Sequence, residues 1–212
     1  MPTEIVVDPA ERLSADERRE ALLDEAKAIV EQSGPGAVTM GSVAERADVT
    51  RALVYKHFEN KEALLVELYR REARALDRHI RQRVEASPEG FEPRLRAFVG
   101  ACLDAVGEHG PFFAPLRSLG SDPSHRQQQR RWDRRTSGYF AQLAVEEFGI
   151  DERTARSAMG VLFSGIQSLL SQMRRSPGET QREALEQTYV EMTIGALERL
   201  SRRGPQPTAA DE

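Results

Sequence analysis

Residues 48–61 read DVTRALVYKHFENK, a segment in which a turn, a short helix and the start of another helix follow one another. Asp48-Val49 predicts a tight turn, Thr50 fits the N-cap of a helix through about His57, and Asn60 fits the N-cap of the next helix. From residue 50 to residue 61, three basic residues stand against one acidic residue. The segment is therefore a local basic edge on an acidic chain.

Two helices are predicted before this segment. The capping box that starts at Ser14 predicts a helix from about residue 15, and Gly34-Pro35-Gly36 ends it. Thr39 fits the N-cap of a short helix from Met40 to Ala47. Two short helices that are joined by a tight turn and preceded by a longer helix are typical of a helix-turn-helix.

The rest of the chain predicts an all-α fold. A helix over 61–86 would be roughly 39 Å long, enough to link two domains. Strand-forming residues are common in 188–194, but a helical apolar stripe runs through them and favours a helix. Further helices are expected at about 94–108, 124–148, 152–174 and 179–202, and the pairs Gly110-Pro111 and Asp122-Pro123 are expected to bracket a separate short segment.

The predicted organisation has a flexible tail over 1–13, a helix-turn-helix domain over 14–60, a helical domain over 61–203 and a disordered tail over 204–212. No apolar run approaches the ~18 residues of a membrane-spanning helix, and the first residues lack the pattern of a signal peptide. The single cysteine, Cys102, can form no intramolecular disulfide. These features predict a cytoplasmic protein without a membrane partner.

Composition limits the possible functions. The formal net charge of −4 argues against a protein that coats nucleic acid generally, but it permits a local basic surface. The four histidines have no metal-ligand spacing, and no G-x-S-x-G motif occurs. We therefore expect no metal, no cofactor and no enzymatic activity.

The second short helix of a helix-turn-helix can enter the major groove and present its first side chains to base edges. Arg51 is the natural base reader because a guanidinium can pair with guanine O6 and N7. The other side chains of the segment are suited to contact neighbouring bases or the phosphates of the DNA backbone. Taken singly, each would be an ordinary solvated side chain, but their combination predicts DNA binding by Thr39, Thr50, Arg51, Ala52, Tyr55, Lys56, His57 and Lys61.

Residues 36–65, GAVTMGSVAERADVTRALVYKHFENKEALL, resemble the DNA-binding region of TetR-type bacterial transcription regulators. The resemblance is specific over roughly residues 18–65 and covers only architecture beyond them. The matching residues are Val38-Thr39, Val43-Ala44, Ala47, Val49-Thr50, Val54-Tyr55, His57-Phe58 and Lys61 followed by Glu62-Ala63-Leu64. In two places the chain departs from the family pattern: Asp48 replaces the usual turn glycine, and Gly41 replaces a frequent polar or basic residue.

The resemblance implies a homodimer that binds a palindromic operator in double-stranded DNA, usually as a repressor that a small molecule releases. It also implies that the helical domain binds the ligand and forms the dimer. Asp tolerates left-handed backbone better than most residues, so we expect the turn at Asp48 to survive. The alternative is a helical adaptor or enzyme that has no role in DNA binding.

The last two predicted helices are candidates for the dimer surface. Small residues recur along 152–174, and the final helix has two apolar faces, of which one could pack within the chain and the other against a partner. The residues predicted for the interface are Gly160, Ser164, Ser168, Val190, Ile194 and Leu197. The alternative is a final helix that is buried on both sides within one chain.

The middle of the chain is rich in aromatic residues, which could line a pocket for a mostly apolar small molecule. The predicted lining consists of Phe98, Cys102, His109, Phe112, Phe113, Trp132, Tyr139, Phe163 and Gln167. Ordinary core packing is the alternative for each of these residues.

Overall fold

The computed structural model describes the backbone of residues 13–119 and 123–203, and the side chains of residues 13–106 and 134–203. Within these ranges every regular element is a helix, which confirms the all-α prediction. Both predicted tails, apart from Leu13, lie outside the described residues. None of the described helices is both long enough and apolar enough to cross a membrane.

The helices follow the order expected for an amino-terminal helix-turn-helix and a larger helical region. A 3₁₀ turn lies between the first two α-helices, at Pro35–Ala37. The α-helices of the described residues are α1 (Ala15–Ser33), α2 (Met40–Arg46), α3 (Arg51–His57), α4 (Lys61–Ala86), α5 (Phe91–Leu119), α6 (Pro123–Phe148), α7 (Glu152–Ser164), α8 (Ile166–Arg175) and α9 (Glu179–Ser201).

The chain divides into two compact units, with the division between Arg71 and Glu72, inside α4. The sequence-based domain boundary at residue 60 lies earlier. The first turns of α4 group with the first unit because Leu64, Leu65 and Leu68 are buried there. Ion pairs from α4 to α1 also hold this part of the helix, one of them between Arg71 and Glu20.

Side-chain caps define the helices of the first unit. Ser14 and Glu17 form the predicted capping box at the start of α1. Gly34, with φ of 77°, ends α1 in a conformation that glycine adopts at little cost. Thr39 caps α2 in a reciprocal arrangement with Ser42. The core between these helices contains fully buried aliphatic side chains, among them Leu22, Val43, Val54 and Leu64.

In the second unit, α5 packs against α6, α8 and α9, and α6 packs against α7. Phenylalanines dominate the centre of its core. Phe91 meets Phe140 edge to face at 5.8 Å between ring centroids and Phe148 at 5.4 Å. Such pairs add to the stabilisation that burial alone provides.

The structure corrects the prediction for α5 at both ends. The helix begins at Phe91, before the predicted residue 94, because the Glu147 carboxylate of α6 accepts a hydrogen bond of 2.6 Å from the Phe91 amide. It then continues through Gly110-Pro111 to Leu119, so the predicted separate segment is part of α5. Pro111 lacks the N–H of one helical hydrogen bond, and the helix continues despite this loss.

The predicted helix 152–174 is divided into α7 and α8 at Gly165. The Leu162 carbonyl accepts hydrogen bonds from the Gly165 amide at 2.9 Å and from the Tyr189 hydroxyl of α9 at 2.7 Å. A side chain at Gly165 would place Cβ only 3.0 Å from that carbonyl oxygen. The break is thus built around a tertiary contact with α9.

Candidate nucleic-acid interface

The turn between α2 and α3 is a Schellman motif centred on Asp48. The Val49 amide donates to the Ala44 carbonyl at 3.0 Å, and the Asp48 amide donates to the Glu45 carbonyl at 3.3 Å. This pattern requires a left-handed residue at the position of Asp48, which has φ of 50°. Among the described residues, Asp48 is the one non-glycine residue with positive φ. The expected turn therefore forms without glycine.

The start of α3 follows at once after this turn. The Thr50 side chain accepts a hydrogen bond of 3.3 Å from the Leu53 amide, as an N-cap does. Val54 is fully buried, so it fixes the face of α3 that points to the core. Thr50, Arg51 and Ala52 consequently lie exposed at the first turn of the helix.

Arg51, Tyr55 and Lys56 form the exposed face of α3, which we call the reading face. Half of the Tyr55 surface is accessible. Within the part of the chain that the structure describes, none of these three side chains has a hydrogen bond or an ion pair. Their polar atoms are therefore available to a ligand without the loss of an internal contact.

His57 is only half exposed at the end of α3. Burial lowers its pKa, and the positive charges of Arg19, Lys56 and Arg18 lower it further. A neutral imidazole still carries one N–H, so His57 can donate a hydrogen bond to a phosphate but adds no charge at neutral pH.

Arg19 of α1 holds the end of α3 in place, and sequence reasoning missed it. Its guanidinium forms a bidentate ion pair with Glu67 of α4 and donates to the His57 carbonyl. It also lies 4.5 Å from the centre of the Phe58 ring. No local pattern indicates this role, because the partners lie tens of residues away along the chain.

Lys61 and Thr39 each have a hydrogen-bond partner near the start of α2. The Lys61 ammonium donates to the Gly36 carbonyl at 3.1 Å. This contact uses one N–H group of the ammonium and leaves two further N–H groups for an anion. Thr39 is exposed, and its hydroxyl oxygen accepts from the Ser42 amide at 2.9 Å. The predicted DNA-binding residues thus all belong to the first unit.

The residues predicted to line a pocket are distributed between core and surface. Phe98, Phe140 and Phe163 pack against one another, at centroid distances of 5.2 to 5.5 Å, which is ordinary core packing. Cys102 is buried, and burial raises the pKa of its thiol to about 12. Tyr139 and Gln167 are exposed. The side chains of His109, Phe112, Phe113 and Trp132 lie outside the described residues.

The residues predicted for the dimer interface separate into two groups. Val190 and Leu197 are buried in the core of their own unit, and Ile194 packs against that core. These three side chains are therefore covered within their own chain. Gly160, Ser164 and Ser168 are exposed, and the exposed apolar side chains nearby in sequence are Val161, at 73%, and Met192, at 67%.

Comparison with known proteins agrees with this geometry. The family model for bacterial regulatory proteins of the tetR family matches residues 22–68, which contain α2 and α3. The HTH-type transcriptional regulator BetI of Paraburkholderia xenovorans (strain LB400) is 32% identical over 114 residues, which are 54% of this chain and 58% of that relative. BetI of Paraburkholderia phytofirmans is 28% identical over 154 residues, covering 70% of this chain and 79% of the relative.

The resemblance extends to solved structures. A TetR-family transcriptional regulator from Streptomyces coelicolor has the same fold, with a TM-score of 0.65 and 20% identity, over 88% of this chain and 97% of the other. The helix-turn-helix, the sequence match across it and the shared helical architecture agree with one another. Over residues 22–68, which contain the helix-turn-helix, the chain matches the TetR family of bacterial regulatory proteins, and the helical fold around this match is that of a TetR-family regulator.

Proposed function

We propose that this regulator is a homodimeric repressor that binds a palindromic operator in double-stranded DNA and is released by a small molecule. The observation that carries the proposal is the state of Arg51. It lies at the first turn of α3, is exposed and has no internal partner among the described residues. Its guanidinium is free to pair bidentately with a guanine in the major groove.

The other side chains of the first unit supply the contacts to the DNA backbone in this proposal. Lys61 and Thr39 lie at helix starts, where free amides and the helix dipole favour an anion. Tyr55 and His57 offer donors without charge. Lys56 adds a charge on the reading face itself. Phosphate contacts of this kind fix the position of the helix, while Arg51 supplies sequence preference.

The exposed apolar side chains of the second unit support the dimer in this proposal. Val161 and Met192 are largely accessible in one chain, and the small residues Gly160, Ser164 and Ser168 of α7 and α8 are exposed as well. A two-fold interface that covers these residues would pair two reading faces. Such a dimer would bind two symmetric half-sites, so the operator that we propose is palindromic.

The second unit is the part that responds to a small molecule in this proposal. The described part of its core is built from aliphatic and aromatic side chains, so a ligand accommodated there would be mostly apolar. Such a ligand releases DNA only if it binds the DNA-free conformation more tightly than the bound one. A repressor that acts on bacterial DNA works in the cytoplasm.

The test starts with selection of the operator from a random pool of double-stranded DNA with the full chain. Arg51→Ala and Lys61→Met are then titrated on the selected and a scrambled sequence at several salt concentrations. Arg51→Ala should cost about 1–3 kcal/mol on the operator and relax preference at one base pair in each half-site. Lys61→Met should weaken both sequences evenly and flatten the salt dependence by about one unit of slope per subunit.

Arg78→Ala is the matched control, because Arg78 is exposed on the part of α4 that belongs to the second unit, and α4 carries none of the proposed dimer residues. It should leave affinity, base preference and salt slope unchanged. Circular dichroism must show unaltered helicity in all variants, in particular in Lys61→Met, which loses the contact with Gly36. Altered base preference in Lys61→Met together with unaltered preference in Arg51→Ala would contradict the proposed roles.

A further inference from the structure

Gly41, the second residue of α2, lies beneath the side chain of Arg51. A Cβ atom built on Gly41 would be 3.7 Å from Arg51 Nε and 3.9 Å from Arg51 Cδ. The same Cβ would be 3.6 Å from the Thr39 hydroxyl oxygen. Arg51 therefore does not extend directly away from α3. The outer half of its side chain lies against the first turn of α2, within 4 Å of the Cβ position built on Gly41, which is also next to Thr39.

No hydrogen bond or ion pair within the described residues holds the Arg51 guanidinium in this position. Packing against α2 is what remains to orient it. We propose that Gly41 is a specificity-determining residue: because it has no side chain, Arg51 can lie across the first turn of α2, and this sets which base Arg51 reads. Gly41 acts here through Arg51, so its role depends on the proposed reading of bases by Arg51.

The available space distinguishes alanine from larger residues at position 41. Distances of 3.6 to 3.9 Å are ordinary van der Waals contacts, so a methyl group fits without displacing Arg51. A longer side chain on a helix points back toward the helix start, which here is the side of Thr39 and Arg51. Each further carbon reaches about 1.5 Å farther, into the volume that Arg51 occupies. Arg51 must then leave its place.

The experiment compares Gly41→Ala and Gly41→Leu on the selected operator and on variants of the base pair whose preference depends on Arg51. Gly41→Ala should keep the wild-type preference within about twofold, since Arg51 stays in place. Gly41→Leu should reduce the preference for guanine at that base pair by about fivefold or more, approaching the 5- to 150-fold loss that removal of a bidentate contact produces. Gly138→Leu is the control, because Gly138 lies on α6 with no atom within 4 Å of its added Cβ.

A leucine could also obstruct DNA directly, and a double-mutant cycle separates this effect from displacement of Arg51. Direct obstruction lowers affinity for every sequence, and it does so equally when Arg51 is alanine. Displacement lowers preference at one base pair, and this effect disappears in the Arg51→Ala background. If Gly41→Leu reduced base preference in the Arg51→Ala background by as much as it does in the wild type, Gly41 would not act through Arg51, and its proposed role would be wrong.

The outcomes also distinguish a failure of the role proposed for Gly41 from a failure of the proposed function. If Arg51→Ala changes preference but Gly41→Leu does not, Arg51 reads the base without help from Gly41, and the specificity role of Gly41 is wrong. If neither variant changes preference at any base pair, the proposed role of Arg51 is itself wrong. Circular dichroism of each variant verifies that α2 and α3 remain folded.

Discussion

Asp48 closes α2 in a conformation that most L-residues avoid. A residue with a Cβ atom loses roughly 1–2 kcal/mol in left-handed backbone, although Asp and Asn lose less because their short side chains bond locally. The Schellman hydrogen bonds at Asp48 and Val49 keep the residue in this conformation. The turn between α2 and α3 is consequently well defined but locally strained.

This strain predicts opposite effects for two substitutions. Asp48→Gly should raise the free energy of unfolding by about 0.5–1 kcal/mol, because glycine adopts positive φ without steric cost. Asp48→Val should lower it by about 1–2 kcal/mol, because a β-branched side chain is strongly disfavoured at positive φ. Urea denaturation followed by circular dichroism measures both changes. Glu45→Gly is a useful contrast, since in the last turn of α2 the same glycine should destabilise by about 1 kcal/mol.

At this scale the sequence predicts residues that act locally and misses residues that act across the chain. The turn at Asp48 and the cap at Thr50 are both set by neighbours within a few positions, and both form as predicted. Arg19 contacts His57, Phe58 and Glu67, which lie 38 to 48 residues away along the chain and are brought next to it by the tertiary fold. A single sequence carries no periodic or capping signal for such a contact.

The helix boundaries show the same distinction among elements. Local caps start α1, α2 and α3 where the sequence predicts them. The start of α5 depends on a carboxylate from α6, and the break between α7 and α8 depends on a hydroxyl from α9. Tertiary contacts therefore override the local signals at these two places, and the Gly110-Pro111 pair likewise fails to end α5.

The break at Gly165 predicts that alanine, although it favours helices, lowers the free energy of unfolding at this position. Gly165 has helical φ and ψ, so glycine is required there by close approach and not by its backbone conformation. Gly165→Ala brings Cβ to 3.0 Å from the Leu162 carbonyl oxygen and should lower the free energy of unfolding by about 1 kcal/mol. Tyr189→Phe removes one hydrogen bond to that oxygen and should cost about 0.5–1.5 kcal/mol.

The control for both is Gly138→Ala in α6, where the added Cβ meets no atom within 4 Å. That change should stabilise the protein by up to about 1 kcal/mol through helix propensity alone. Urea unfolding of the three variants under identical conditions gives the comparison. If Gly165→Ala stabilised the protein as much as Gly138→Ala, the close approach at Gly165 would have no energetic consequence.

For the molecule as a whole, α9 shows how far an apolar pattern can be interpreted. Two apolar faces on α9 predict two covered sides, but the pattern does not tell whether the chain itself or a partner covers them. The structure buries Val190 and Leu197 within their own unit. Met192, another apolar residue of α9, is two-thirds exposed. Only the packing of α9 against α5, α6, α7 and α8 resolves the two faces.

The exposed residues therefore give the sharper test of the proposed dimer. Val161→Asp and Met192→Asp should each convert a dimer into a folded monomer, because a carboxylate at a covered apolar contact is costly whereas the same group on a free surface is not. Leu197→Asp should unfold the second unit, since Leu197 is fully buried in one chain. Gly138→Asp places the charge at an exposed position of α6, where the added Cβ meets no atom within 4 Å, and should leave the dimer intact.

Sedimentation velocity at micromolar concentration, together with circular dichroism, distinguishes these outcomes. The two monomeric variants should also lose most of their affinity for the full operator while keeping wild-type affinity for a single half-site, because only the dimer contacts both half-sites at once. A wild-type protein that sediments as a folded monomer would contradict the dimer. If the wild type were a dimer and both Val161→Asp and Met192→Asp kept it, the interface would lie on a different surface. In that case the symmetric pairing of reading faces would have to arise from other exposed residues.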